Sequence, residues 1–422
     1  MNPLSAVLAE RERAARLFDR LREDGRDEPG VTRDPYGAGE QRAHATIAAE
    51  AKRLGLEVTR DEAANLYMTL PGRDRSAPAV VTGSHLDSVP HGGNFDGAAG
   101  VVAGLVAVAA LRRLGVAPSC DLTVMAIRAE ESIWFQVSYV GSRAALGALP
   151  DGALAARRID TGRTLAEHIA ECGGDPEALA RGARHLDPAR LGAFVELHIE
   201  QAPSLVEAGR PIGICAGIPG NIRYPDMRIA GSHDHVGLPR RFRRDTALAG
   251  AEFAVALDRL WAAREARGVG MACTIGRFHT DPRLHGLTIV PGAFHLSLDV
   301  RAYDPETLAE LEREIAEIAQ GIARRRGVRF EFGPRAAAAI GPVDPAVKAG
   351  LARAAARLGL PAIELGSPAS HDAAAFAAAG VGMGMIFVRN ENGSHNPREA
   401  MTIDDFLAGA AVLTGWLGEA MG

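Results

Sequence analysis

Apolar and polar positions along this chain fall into two regimes, and the change between them outlines the fold. Residues 5–23 put Val7, Leu8, Ala14, Ala15, Phe18 and Leu21 near helical spacing. A loop of Gly, Pro and Asp fills 27–39, and 40–54 return to a helical pattern with Gly55 as its C-cap. Short strands are expected at 57–59 and 65–70. From residue 79 apolar strands alternate with helices, the signature of a mainly parallel sheet. Strands are predicted at 78–83, 121–128 and 193–199, with helices at 98–114 and from 142. The helix over 98–114 is so uniformly apolar that it must be buried. In 193–199 the alternation puts Glu196, His198 and Glu200 on one face of the strand.

Near residues 209–213 the rhythm changes. Strands at 214–217 and 226–230, a helix at 246–267, strands at 271–278 and 293–300, a helix at 305–326 and a strand at 328–332 follow. Counted from the strand at 226–230, the β-α-β-β-α-β order describes a split-βαβ, ferredoxin-like sandwich of domain size. Helices at 345–358 and 373–379, a strand at 382–388 and a closing helix at 404–421 then resume the earlier pattern. The fold class is therefore α/β. A mainly parallel-sheet domain over 1–212 and 336–422 is interrupted by an inserted domain over 213–335.

Composition narrows the function classes. The 422 residues are 47% hydrophobic and 23% charged, with a net charge of −5. Arginines are scattered among acidic residues, so no basic field for nucleic acid is expected. Cys120, Cys172, Cys215 and Cys273 are isolated, which argues against a disulfide framework and for a reducing compartment. Residues 1–21 lack the apolar core of a signal peptide, and the longest apolar run, 98–111, is too short to span a bilayer. The expectation is a cytoplasmic protein with a small-molecule substrate and neither nucleic acid nor membrane as partner.

The chemistry concentrates in Gly83-Ser84-His85-Leu86-Asp87-Ser88-Val89-Pro90-His91-Gly92-Gly93-Asn94-Phe95-Asp96-Gly97. Imidazole and carboxylate in one glycine-rich turn suit a borderline divalent metal such as zinc. Other predicted strand ends supply Glu130 and Glu131, His198 and Glu200, and His395 within Gly393-Ser394-His395-Asn396-Pro397. In open α/β sheets ligands bind beyond the carboxyl ends of the strands, so these side chains should converge. A two-metal site needs a bridging carboxylate, and a further carboxylate must carry the proton of the attacking water. Adjacent Glu130 and Glu131 can divide those jobs. Asp87, two residues from His85, is expected to hold the far nitrogen of its ring.

The order GSHLDSVPHGGNFDG, AEES, FVELHIEQ, LDVR and GSHNP resembles the carbamoylase branch of the di-zinc aminoacylase and carboxypeptidase G-like superfamily. That branch includes N-carbamoyl-L-amino acid hydrolases, β-ureidopropionases and allantoate amidohydrolases. The resemblance runs from about residue 40 to the end. It implies two divalent metal ions, zinc foremost, with manganese, cobalt and nickel accepted by the same ligand types. One ion would be held by His85, Asp96 and His198, the other by Asp96, Glu131 and His395, with Asp96 bridging. Glu130 would be the general base for a metal-activated water, and His91 is not needed. The inserted domain would be a lid and the seat of a homodimer.

On the substrate side the resemblance points to Gln201, Arg223, Thr288 and Arg301, with Arg301 the better anchor for a substrate carboxylate. The lid histidine that stabilises the oxyanion corresponds best to His235, with His233 as the alternative. Three segments depart from the family pattern. The 231–241 run lacks its two threonines and methionine, Thr288 stands where Asn is usual, and Ser132-Ile133-Trp134 follows the glutamates. Trp134 is either an aromatic wall of the site or plain core. The expected function is hydrolysis of a linear C–N amide or ureide bond in a small carboxylate-bearing substrate such as an N-carbamoyl amino acid. The alternatives are a dipeptidase or N-acyl amino acid amide hydrolase, and a non-catalytic binding protein that retains the fold. Asp372, after His371, is expected to support the site or cap a helix.

Overall fold

The computed structural model describes residues 1–422, which divide into two compact units, Met1–Ile218 with Gly341–Gly422, and Pro219–Ile340. The larger unit is built on an eight-stranded sheet. Its order is Ala362–Leu365, Ile212–Cys215, Met383–Val388, Leu191–Ile199, Ala79–His85, Leu122–Ile127, Leu66–Leu70 and Glu57–Arg60. The four central strands, Met383–Val388 through Leu122–Ile127, run parallel. The edge pair Glu57–Arg60 and Leu66–Leu70 joins antiparallel. Ile212–Cys215 is antiparallel to Met383–Val388 and parallel to Ala362–Leu365.

Every residue from Ala98 to Leu111 in the helix Ala98–Arg113 is buried, as an all-apolar pattern demands. Small residues let this helix lie close to the sheet. A Cβ on Gly100 would stand 2.4 Å from the Leu197 carbonyl oxygen. The helix packs with the closing helix, Ile403–Ala420, into the main core. On a second core cluster Phe194 stacks on Phe376 with ring centroids 3.8 Å apart, a contact that anchors the Ala373–Ala378 helix. No helix is long and apolar enough to cross a membrane, and all four cysteines are free.

The Pro219–Ile340 unit has a five-stranded sheet with the path Met271–Thr280, Ala293–Ala302, Gly220–Ala230 and Arg329–Glu331, and Ala336–Ala338 also pairs with Gly220–Ala230. All these pairs are antiparallel. Helices Thr246–Glu265 and Pro305–Arg326 start at Asp245 and Asp304, whose carboxylates accept from Leu248 N and Thr307 N. Phe253, Leu257, Leu311, Ile315 and Ile322 belong to the core this unit forms for itself. The arginines are less evenly scattered than the sequence suggests. Those of 240–244 and 324–326 line one cavity of about 1040 Å³.

Three expectations need correction. The unit boundaries fall at 218/219 and 340/341, not 212/213 and 335/336, because Ile212–Cys215 pairs into the large sheet while Ala336–Ala338 pairs with the smaller one. The first helix is two helices, Pro3–Leu8 and Arg11–Gly25, broken at Ala9 and Glu10. Ala362–Leu365 is a strand with no counterpart in the sequence reading; it is short and partly exposed, so it lacks a clear apolar run.

Candidate metal centre

The turn after Ala79–His85 places His85 and Asp96 side by side because the chain folds back at Gly97. That residue adopts φ +65°, and a Cβ there would stand 2.5 Å from the His85 ring. His198 leaves the neighbouring parallel strand Leu191–Ile199, one place before its end. The Nε2 atoms of His85 and His198 lie 3.5 and 3.2 Å from Asp96 Oδ1. On the other oxygen, His395 Nε2 lies 3.5 Å from Asp96 Oδ2 and 3.3 Å from Glu131 Oε1. Two donor groups result, His85–Asp96–His198 and Asp96–Glu131–His395, each with its ligand atoms within 4.8 Å of one another. Asp96 is common to both.

The supporting contacts differ from expectation in detail. His85 Nδ1 is 3.0 Å from the Asp87 carbonyl oxygen and 3.5 Å from its Oδ1. The Asp87 carboxylate instead accepts from the backbone N–H of Glu130 (3.1 Å) and of Glu131 (3.0 Å), so one buried side chain sets both glutamates. His198 Nδ1 lies 2.9 Å from the Ile199 carbonyl oxygen. Gln201 Nε2 donates to Asp96 Oδ2 at 2.8 Å, and its Oε1 is buried without a partner. Ala129, Gln201 and His395 all have φ between 52° and 66°. Left-handed backbone at non-glycine residues costs of order 1–3 kcal/mol each, and it gathers at sites that demand it.

Charge is unbalanced here. Asp87, Asp96, Glu131, Glu196 and Asp372 are buried and Glu130 is half-buried, while Arg33 brings one positive charge to the same turn. Burial pushes Glu130 well above the ordinary carboxylate range, with Glu131, Asp372 and Asp87 adding to it and His85 opposing. Glu131 is raised likewise by burial and then by Asp96. Burial works against ionising Asp96, but His198 and His85 outweigh it and hold its carboxyl well below the usual range. Imidazole and carboxylate donors around an excess of buried negative charge, beside the orphaned oxygens of Gln201 and Asp372, fit divalent cations.

This makes a prediction for protein stripped of divalent ions. Burial, with Glu196, pushes Asp372 up to about 8, and burial with Asp96 pushes Glu399 to about 7. Raised groups bind protons more tightly folded than unfolded, so their contribution is complete at low pH and lost as pH rises through 7 to 8. His371, which burial keeps well below its ordinary value of 6.5, acts in the opposite sense only below that value. The chelated protein should therefore melt lower at pH 8.5 than at pH 6.5, and an added divalent ion should restore more stability at the alkaline end. Thermal melts at both pH values, with and without chelator, check this; identical melting at both would contradict it.

The remaining expected residues are distributed as follows. Trp134 is 6% exposed, donates to the Ser88 carbonyl at 2.9 Å and lies under the Arg158 guanidinium, so it is core and braces the turn. Glu200 accepts from Ser204 N and Leu205 N and caps a short helix. His91 is exposed and pairs with Asp27. Asp372 stands at the start of Ala373–Ala378 without capping it and accepts from Ser142 Oγ. In the smaller unit Arg223 and Arg301 sit on neighbouring strands and both reach Asp299, at 2.7 and 2.9 Å. His235 is exposed on the two-residue strand Asp234–His235, opposite Ile289, and Val236 N donates to the carbonyl of exposed Thr288. His233 Nδ1 accepts from Gly292 N at 3.2 Å.

Arg33, Ser394 and Glu399 escaped the sequence reading. Arg33 is fully buried and donates to the Leu86 carbonyl (2.6 Å) and to Asn94. A charged residue inside a loop has no periodicity to mark it as interior.

Comparison with known proteins gives the family. The profile of the family described as Peptidase family M20/M25/M40 matches residues 81–419. An N-carbamoyl-L-amino acid amidohydrolase of Geobacillus stearothermophilus is 38% identical over 405 residues, covering 94% of this chain and 96% of that protein. An allantoate amidohydrolase of Bacillus subtilis is 28% identical, with 92% of each chain covered. Among solved structures, an amidase of the hydantoinase/carbamoylase family from Burkholderia multivorans superposes with a TM-score of 0.87 at 28% identity, covering 97% of this chain and 98% of the other.

Proposed function

This chain belongs to peptidase family M20/M25/M40, in its carbamoylase branch, and from that premise we propose which of its residues carry the reaction and on what substrate. It is a metal-dependent amidohydrolase of linear, non-peptide C–N bonds. The substrate proposed is an N-carbamoyl-L-amino acid or a close ureide bearing a carboxylate.

The observation that carries this reading is the pair of donor groups sharing Asp96, with Glu130 beside them and in neither. His85, Asp96 and His198 would hold one divalent ion, and Asp96, Glu131 and His395 a second; zinc suits both sets. Bound there, the ions would acidify a water and polarise the substrate carbonyl. Glu130 accepts the proton of that water as its oxygen attacks the carbonyl carbon. It then returns the proton to the nitrogen that leaves, so it ends the cycle as it began. Asp87 keeps Glu130 and Glu131 apart in their two tasks by holding both backbone N–H groups.

Recognition is assigned to Gln201, Arg223, Thr288 and Arg301, with Arg301 gripping the carboxylate. His235 is assigned the developing oxyanion. The Pro219–Ile340 unit serves as lid and as the contact between two copies of the chain. Two departures would suit an acyl or dipeptide substrate, Trp134 and the segment at Thr288; of these, the Trp134 ring lies in the core.

The test is a panel of N-carbamoyl, N-acyl and dipeptide substrates with metal-loaded protein, scored by product. Ammonia release from the carbamoyl compounds, at rates well above those of the other classes, is expected. Turnover confined to dipeptides or N-acyl amino acids would replace this proposal with the peptidase-like reading.

A further inference from the structure

We propose that Glu399 is a positioning residue of the metal centre, and that the Asp96–Glu131–His395 half depends on it far more than the other half does. The inference rests on reading that triad as a metal site.

Glu399 is 8% exposed and lies five residues beyond Ser394 in the loop that carries His395. Its Oε1 accepts from the backbone N–H of Phe95 at 2.8 Å and of Asp96 at 3.3 Å. Its Oε2 accepts from Ser394 Oγ at 2.7 Å. Ser394 Oγ is also within hydrogen-bond reach of Asp96 Oδ2. One carboxylate thus clamps the backbone of the shared ligand and the residue before His395, across 304 positions of sequence. The turn makes room for it: a Cβ on Gly93 would stand 2.1 Å from the Glu399 carboxyl carbon.

The two donor groups are held by different means. His85 and His198 project from adjacent strands of the central sheet, are 2% and 1% exposed, and each rests its Nδ1 on a backbone carbonyl. His395 is half exposed, sits at φ +59°, and comes from a loop. Asn390 donates to the Gly393 carbonyl and Asn396 to the Ser394 carbonyl, which binds the loop to itself, while Asn390 Oδ1 accepts from Gln201 N at 2.9 Å. Glu399 and Ser394 make its direct hydrogen bonds to the Asp96 turn. Removing the carboxylate leaves two buried N–H groups without an acceptor and frees His395 to swing. Residues behind metal ligands typically change metal affinity by about 10–100-fold when mutated.

The experiment titrates metal-stripped wild type and the variants Glu399→Ala, Glu399→Gln and Ser394→Ala with Zn²⁺ by calorimetry. Metal per chain is counted after dialysis, and folding is checked by circular dichroism. Wild type is expected to take two ions. Glu399→Ala should keep one with nearly unchanged affinity and bind the second about 10–100-fold more weakly. Glu399→Gln should fall between, because its carbonyl oxygen still accepts from Phe95 and Asp96 while its NH₂ cannot accept from Ser394. Ser394→Ala should weaken the same ion. Two ions at wild-type affinity in all three variants would overturn the proposal, and so would equal loss of both. If Glu399→Ala does not fold, the other two variants carry the same test. Wild type binding no ion would instead overturn the metal reading itself.

Discussion

Glu130→Gln is expected to retain both metal ions and lose about 10²–10⁴-fold in kcat, with KM little changed. Glutamine keeps the shape and the backbone N–H that Asp87 holds, but it can neither accept nor return a proton. The loss corresponds to about 3–5 kcal/mol of transition-state stabilisation. Glu130 belongs to neither donor group, so metal content should not change. Its environment suits the task. Burial, with Glu131, Asp372 and Asp87 nearby, pushes its carboxyl well above the ordinary carboxylate range, as is common for proton-transferring groups in active sites. Turnover and metal content measured on one preparation decide the matter. Near wild-type turnover with ions bound would remove Glu130 from the mechanism, and loss of an ion would make it a ligand.

The second large effect is expected at Asp96. Asp96→Ala should bind neither ion and show no activity above background, whereas His198→Ala and His395→Ala should each lose one ion preferentially. The asymmetry follows from counting donors, since Asp96 alone appears in both groups. It also removes the carboxylate that His85 and His198 share at 3.5 and 3.2 Å, leaving two buried imidazoles without it. Metal analysis of the three variants after dialysis checks the pattern. An Asp96→Ala protein that still carries two ions would show that the ligands are differently arranged.

Much of this site was legible because its chemistry sits at the ends of apolar strands. His85, Glu131 and His198 follow or close runs whose pattern is unambiguous, and parallel strands bring such ends together. His395 was marked by the Gly-Ser-His-Asn-Pro string. What was not legible lies where polar residues have no periodicity. Glu399 reads as one more charge in a loop, and only the fold shows its carboxylate threading the turn at Gly93. Arg33 is similarly silent. Trp134 is equally apolar whether it lines a pocket or fills a core, so its neighbours had to decide. The strand Ile212–Cys215 gave the wrong boundary because a short buried run such as Ile-Gly-Ile-Cys pairs as well with one sheet as with another. Within the smaller unit the main strands and both helices followed the expected order. Gly220–Ala230 nevertheless begins six residues before the strand expected at 226, and the short strands Asp234–His235, Ile289–Val290 and Ala336–Ala338 had no counterpart.

The place of Met383–Val388 between Ile212–Cys215 and Leu191–Ile199 bears on how the molecule is made. An inner strand of the large sheet is supplied by the last tenth of the chain, after the whole of Pro219–Ile340 has been synthesised. On the ribosome the smaller unit has every one of its strands available first, while the larger waits with apolar strand edges unpaired. His395 emerges later still. Truncation before residue 383 should therefore yield a chain that aggregates instead of a weakened enzyme.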